Sequence, residues 1–159
     1  MASLTRTLRP VFRTVYSQVR NYAEAGNEMK FTLAGANQVF YDQVSIRQVD
    51  VPSFSGSFGI LPKHVPTLAV LKPGVVTVYE ESGDTKKVFV SSGTVTINED
   101  SSVQILAEEA HAVESLDNSA AKDILNKAQQ QLSSASSEKD KAEAAIAVEV
   151  AEALVSASA

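Results

Sequence analysis

The chain changes character near Glu108, and that change limits what it can fold into. From Asp117 to the C-terminus there is no glycine and no proline, and alanine becomes frequent. Before the change, short runs rich in Val, Thr, Tyr and Phe alternate with polar turns about every eight to twelve residues. The first pattern favours helix, because each residue has a low cost in the helical backbone. The second favours short antiparallel strands, because branched and aromatic side chains suit a half-buried pleated surface. In series they predict an all-β N-terminal sandwich or barrel followed by an α-helical pair.

Within the β region, Lys30 to Ala34 and Val39 to Tyr41 read as the first strands. Val44 and Ile46 alternate on one face, and Val49 and Val51 follow with opposite parity. Either two strands meet there or a bulge near Arg47-Gln48 restores the inward face. Gly74 to Tyr79 and Lys87 to Val90 flank the turn composition Glu80-Glu81-Ser82-Gly83-Asp84, which predicts a hairpin. Ser91-Ser92-Gly93 reads as a turn or bulge, and Thr94 to Ile97 and Val103 to Ala107 close the region. Each Val, Ile, Leu or Phe buried here contributes roughly 1.5–3 kcal/mol before entropy.

After the change, Ala121, Ile124, Leu125, Ala128 and Leu132 recur at helical spacing. Asp117 is the expected N-cap, with Leu116 ahead of it. Ser133 to Ser137 is a serine-rich break. A second helix is expected from Ser137, with Ala142, Ala145, Ile146, Val150, Ala153 and Leu154 as its apolar stripe. The short break makes the two helices antiparallel neighbours. Alanines permit close approach but bury little area, so the hairpin needs the sandwich or a partner.

The stretch Gly56 to Gly74 organises the β region. Gly56 and Gly59 bracket Ser57-Phe58, a turn that needs positive φ or a close neighbour. Pro62 and Pro66 cannot donate to a strand ladder, so Lys63 to Val65 forms a corner or an edge. Leu68 to Leu71 is a short apolar run ended by Pro73-Gly74.

Composition excludes much chemistry. There is no cysteine, hence no disulfide framework, thiolate metal site or Cys nucleophile. No apolar run approaches the roughly 18 residues needed to cross a bilayer. A chain of net charge −5 without a basic stripe is a poor nucleic-acid binder. There is no Gly-Lys-Ser/Thr phosphate loop, so no nucleotide cofactor of that kind is expected. His64 and His111 are the only histidines and lie far apart, without a metal-ligand spacing. Glu108-Glu109 are adjacent on a strand end and point to opposite faces, which suits solvent rather than a catalytic pair. No nucleophile, base and oxyanion site assembles, so no catalytic, cofactor or metal residues are assigned and the chain reads as non-enzymatic.

The charge is uneven. Arg6, Arg9, Arg13 and Arg20 precede the first acid, Glu24, so the net −5 divides into +4 before Glu24 and −9 from Glu24 onward. An Arg-rich, acid-free start containing Ser and Thr has the composition of an organellar transit peptide. Residues 1–22 are therefore set apart, with cleavage expected after Tyr22, and residues 23–29 read as a disordered start. The sandwich is assigned to 30–112 and the hairpin to 113–159.

Several segments carry a specific resemblance: Gly56 to Pro62, His64, Leu71-Lys72-Pro73-Gly74, Phe89 to Gly93 and Val103 to Ala110. Together they resemble the epsilon subunits of bacterial and chloroplast F-type ATP synthases and their mitochondrial counterparts. The resemblance covers the chain from about Phe31 onward. It implies a sandwich of about ten antiparallel strands followed by the helical hairpin. It also implies a foot of the rotating central stalk, joining the gamma subunit to the membrane c-ring and coupling proton transport to ATP synthesis. In mitochondria a small epsilon subunit is a further implied partner, and the place is the matrix side of the inner membrane, peripherally held. By the same resemblance Gly56, Ser57, Phe58 and Gly59 face the c-ring, Ile60, Leu61 and Pro62 continue that interface, and His64 marks the gamma-facing edge. Ser57 stands where many bacterial members carry Glu, which removes a charge from that contact.

Two other readings are open at this stage. One is a free-standing sandwich acting as a binding or adaptor module. The other is an ATP-sensing inhibitory regulator of the same complex. Some bacterial relatives hold ATP with a motif matching Leu116-Asp117-Asn118-Ser119-Ala120-Ala121, but Ala120 replaces its arginine and leaves Asp117 only a cap. The second helix has Lys139 and Lys141 against Glu138, Asp140, Glu143, Glu149 and Glu152, a net −3. That balance opposes docking on an acidic surface, so the hairpin is expected to lie down on the sandwich.

Overall fold

The computed structural model describes residues 28–159. The expected transit peptide and the start up to residue 27 lie outside the described residues. Among the described residues there are nine strands: β1 Met29–Gly35, β2 Val39–Val51, β3 Phe58–Ile60, β4 Thr67–Leu71, β5 Gly74–Glu80, β6 Thr85–Val90, β7 Gly93–Ile97, β8 Val103–Ala107 and β9 Ala110–Ala112. A single 3₁₀ turn, Val113–Ser115, leads into α1 Asn118–Ser134 and α2 Glu138–Ala157. Strand β1 begins one residue before the expected boundary, because Met29 pairs with Ile46 and is fully buried.

The strand order is β4-β7-β8-β1-β2-β5-β6-β9, with β3 beside β2. Strand β2 belongs to both layers. Its first half pairs with β1, and its second half pairs with β5 and β3. The register slips between Ile46 and Gln48, so Arg47 is an extra residue that reorients the strand as it changes layer. This is the bulge alternative of the sequence reading. A second irregularity, at Gln43 with φ 51°, had no clear sequence signal.

The expected all-antiparallel arrangement needs one correction, and nine strands stand where about ten were expected. Strands β1 and β8 are parallel, from Phe31 opposite Val103 to Gly35 opposite Ala107. They are far apart in sequence, so no short turn forces them antiparallel. The two connections between layers lie side by side. Ser91 N donates to Glu109 O at 3.1 Å, and Glu108 N donates to Ser92 O at 2.9 Å. The serines and glutamates that stood out in the sequence are thus backbone partners at the crossing.

Alternate residues of both layers fill the core, including Phe31, Leu33, Ile46, Val49, Ile60, Leu71, Val76, Val78, Val95 and Ile105. At one end the buried ring of Tyr41 packs at 5.3 Å from Phe31. Its hydroxyl donates to Glu80 Oε1 at 3.0 Å, and Lys86 Nζ lies 2.9 Å from the same oxygen. Burial, then the bond to Glu80, pushes the Tyr41 hydroxyl up.

In the hairpin, Asp117 Oδ1 accepts from Ser119 N at 2.8 Å and Ala120 N at 3.3 Å, and Ser137 Oγ accepts from Asp140 N at 3.0 Å. Both expected caps form. The α1 stripe holds for Ala121, Leu125 and Ala128, while Ile124 and Leu132 are exposed. The α2 stripe holds for its later half, where Val150, Ala153 and Leu154 are partly buried, and is corrected in its first half: Ala142, Ala145 and Ile146 face solvent, while Ala144 and Ala151 are the buried positions. With alanine on several faces the sequence period is ambiguous, and close packing selects the seam seven residues apart. Asn118 Nδ2 donates to Ser158 Oγ at 3.1 Å and closes the open end. Helix α2 lies against β5, and Lys72 Nζ is 3.9 Å from Glu149 Oε1. Among the described residues no helix is long and apolar enough to cross a membrane.

The bond to Lys86, then that to Tyr41, holds Glu80 below its ordinary value. Its stabilising contribution is therefore present above the unfolded-state value and is lost as pH falls through the folded one. The Glu80→Gln variant should show a flatter decline of Tm between about pH 5 and pH 3 than the parent chain. Thermal melts across that range check this; equal slopes would remove Glu80 from the acid response.

Candidate functional site

The Gly56 turn is built by Ser53, which the sequence reading passed over. Ser53 is buried, and its Oγ donates to Gly56 O at 2.8 Å. With that proton engaged, the Ser55 hydroxyl donates to Ser53 Oγ, also at 2.8 Å. Gly56 N donates to Ser53 O at 3.0 Å and closes the loop. Such serine-to-backbone bonding three residues on is readable in principle from Ser-x-x-Gly. Gly56 has φ +116° with open space around it, so backbone conformation is what requires glycine there.

Gly59 is different. It has no positive φ, and a Cβ there would lie 2.8 Å from Asp50 Oδ1 and 3.2 Å from Gln48 Nε2. The two glycines thus divide the two reasons anticipated for them. Phe58 and Ile60 pair with Val51 and Val49; Ile60 is fully buried and Phe58 partly so.

After β3 the chain turns at Leu61-Pro62-Lys63-His64. His64 N donates to Leu61 O at 3.1 Å, and Lys63 has φ 66°. Proline second and positive φ third is the pattern of a type II turn. Lys63 N donates to Ser101 Oγ at 3.1 Å, which ties this corner to the β7–β8 turn. The His64 ring comes within 6.1 Å of the Phe58 ring. Gly56, Ser57, Phe58 and His64 line one shallow groove of about 440 Å³ with Leu68 and Ala69. The turn residues and the histidine, six positions apart at their nearest in Phe58 and His64, thus meet at one surface.

The neighbouring face is apolar, and sequence reasoning missed it. The short apolar run Leu68 to Leu71 lies on β4, an edge strand, and only Leu71 is fully buried. Leu68 is 73% exposed and Val70 54%. Register places Val70 opposite Thr94, Thr94 opposite Leu106, Leu106 opposite Ala34 and Ala34 opposite Val39. Leu106 is 57% exposed and Val39 62%. A cross-strand row therefore spans five strands on the outer face, apolar at Val70, Leu106, Ala34 and Val39 and interrupted by Thr94. The signal was available only through strand order, since each residue alone is an ordinary strand apolar.

The other site residue, Asp117, is spent on capping α1. A second cleft, of about 440 Å³, separates the Gly56 turn from the hairpin and is lined by Pro52, Ser57, Lys72, Glu149 and Glu152 among others. Among the described residues no three His, Asp or Glu side chains gather into a metal-binding cluster.

A family profile described as "ATP synthase, Delta/Epsilon chain, beta-sandwich domain" matches residues 28–113. A second, described as "Metazoan delta subunit of F1F0-ATP synthase, C-terminal domain", matches residues 116–157. The Caenorhabditis elegans protein named ATP synthase subunit delta, mitochondrial, is 45% identical over 145 residues, covering 87% of this chain and 88% of the relative. Its Saccharomyces cerevisiae namesake is 38% identical over 154 residues, covering 97% and 93%. A chain in the Euglena gracilis mitochondrial ATP synthase OSCP/F1/c-ring structure aligns with TM-score 0.75 at 22% identity over 99% of both chains. A chain in the Tetrahymena thermophila central stalk/c-ring structure aligns with TM-score 0.61 at 14% identity over 82% of this chain and 96% of that one. These structures share the fold.

A Cβ at residue 56 meets no atom but strains a backbone that L side chains rarely adopt. Gly56→Ala should cost about 1 kcal/mol and lower Tm by about 2–4 °C. An unchanged Tm, measured by calorimetry, would show that the turn tolerates a side chain there.

Proposed function

The chain belongs to the delta/epsilon family of ATP synthase subunits, and from that premise we propose that it is a non-catalytic foot of the central stalk. It joins the gamma subunit to the c-ring, so that proton-driven rotation reaches the catalytic head. The observation that carries this reading is the apolar row from Val70 to Val39 beside the rigid Gly56–His64 corner. An exposed, mainly apolar stripe across five strands supports a docking role, because leaving it in water forgoes its burial.

Under this reading the row and the His64 edge meet gamma. The turn Gly56-Ser57-Phe58-Gly59, with Ile60, Leu61 and Pro62 behind it, meets polar loops of the c-ring. Ser57 offers a hydroxyl there and no charge. The outward Ile124 and Ile146 of the hairpin receive a small partner, the mitochondrial epsilon subunit. Residues 30–112 serve as the binding body and 113–159 as the assembly hairpin. The working place is the matrix side of the inner membrane, where the subunit is held peripherally, after removal of residues 1–22. A torque-bearing joint needs a stiff frame, and a sandwich tied by short turns supplies it. An ATP-sensing role finds no support, since Asp117 is engaged by Ser119 N and Ala120 N and Ala120 offers no cation.

Leu106→Asp tests the reading, because the side chain is on the outer face and its loss leaves the core intact. The variant should melt within about 0.5 kcal/mol of the parent. Mild detergent extraction should recover it with gamma and the c-ring at least about tenfold less efficiently. Full recovery with gamma would show that the row is not the docking face.

A further inference from the structure

Asp50 sits where β3, β2 and β5 lie side by side. It is opposite Gly59 on one flank and opposite Thr77 on the other. Directly opposed residues project to the same face, so Gly59, Asp50 and Thr77 share the outer surface. Asp50 Oδ1 accepts from Gln48 Nε2 at 2.6 Å, and Oδ2 accepts from Tyr79 OH at 3.1 Å. Both carboxylate oxygens are therefore held, by neutral donors from two different strands.

The room for this arrangement comes from Gly59. The carboxylate occupies volume that a side chain at 59 would fill, at 2.8 Å from the site of its Cβ. Strand β3 has three residues, and its only strand neighbour among the described residues is β2. A strand that short is weakly held by its own ladder. Hydrogen bonds to an ionised acceptor are stronger than neutral ones, so the Gln48–Asp50–Tyr79 group is a stiff lid over it.

We propose that Asp50 is a positioning residue of the foot: clamped by Gln48 and Tyr79, its carboxylate lies across Gly59 and fixes β3, and with it the Gly56–Gly59 turn, to the sandwich body. This rests on the reading of that turn as the c-ring contact. Asp50 transmits nothing by itself; it acts by denying β3 the freedom to lift from β2. A soft β3 would let the turn yield under load instead of following the body.

Amide exchange on the full mature chain tests the clamp. Asp50→Ala and Tyr79→Phe should each speed exchange at Phe58 to Leu61 by about tenfold and leave Val95 and Ile105 unchanged. Gly59→Ala should do the same in the parent chain and add little in Asp50→Ala, where the colliding carboxylate is gone. Unaltered exchange at β3, or full additivity of the two changes, would overturn the clamp.

Inner-membrane vesicles holding the assembled enzyme test its use. Tyr79→Phe should keep normal subunit content but lower proton pumping per ATP hydrolysed by about twofold or more. Asp50→Asn, which keeps one acceptor oxygen, should restore part of what Asp50→Ala loses. Faster exchange with unchanged pumping would reduce Asp50 to sheet stability and overturn the proposal. Failure of the parent chain to co-isolate with the c-ring would instead sink the stalk reading, with the exchange result standing apart from it.

Discussion

The layer change in β2 is the constraint on which the rest depends. Thirteen residues run through both sheets, and the extra Arg47 turns the strand between them. Without that offset, Ile46 and Val49 could not both point inward, since their parities differ. With it, Met29 and Phe31 pack from β1 on one side while Val76 and Val78 pack from β5 on the other. The same strand then delivers Val51, Pro52 and Ser53 to the start of the turn, so the turn grows from the most constrained strand in the fold.

That origin holds the exposed loop stiff. Ser53 anchors Gly56 from beneath, β3 returns along β2, and the Lys63–Ser101 bond ties the following corner to the opposite layer. The hairpin is attached more lightly. Its buried positions are alanines, and its ion pair to the body, Lys72 with Glu149, is long and half exposed. Exposed pairs of that kind contribute about 0–1 kcal/mol. The contrast suits a rigid body for coupling with a hairpin whose position depends on what covers its outer face.

How much was legible in the sequence follows from the range of each interaction. Caps at Asp117 and Ser137, the Gly83 hairpin and the Arg47 bulge depend on neighbours within a few residues, and composition or parity revealed them. The parallel β1–β8 pair and the apolar row through Leu106 depend on which strands lie together, which no local pattern encodes. The first half of the α2 stripe was misread because alanine on several faces leaves no preferred period. At the candidate site, the Gly56–His64 corner was visible from its glycines and prolines. Gly59's reason was not, because it lies in Asp50, brought opposite by pairing rather than by sequence.

The central claim is that the Ser57 turn faces the c-ring. The chain has no native cysteine, so Ser57→Cys introduces a single reactive thiol. In the assembled enzyme, a short thiol crosslinker placed there should capture a polar loop of the c-ring, and the linked pair should still turn together during ATP hydrolysis. Capture of the catalytic head alone would reverse the orientation and contradict the account.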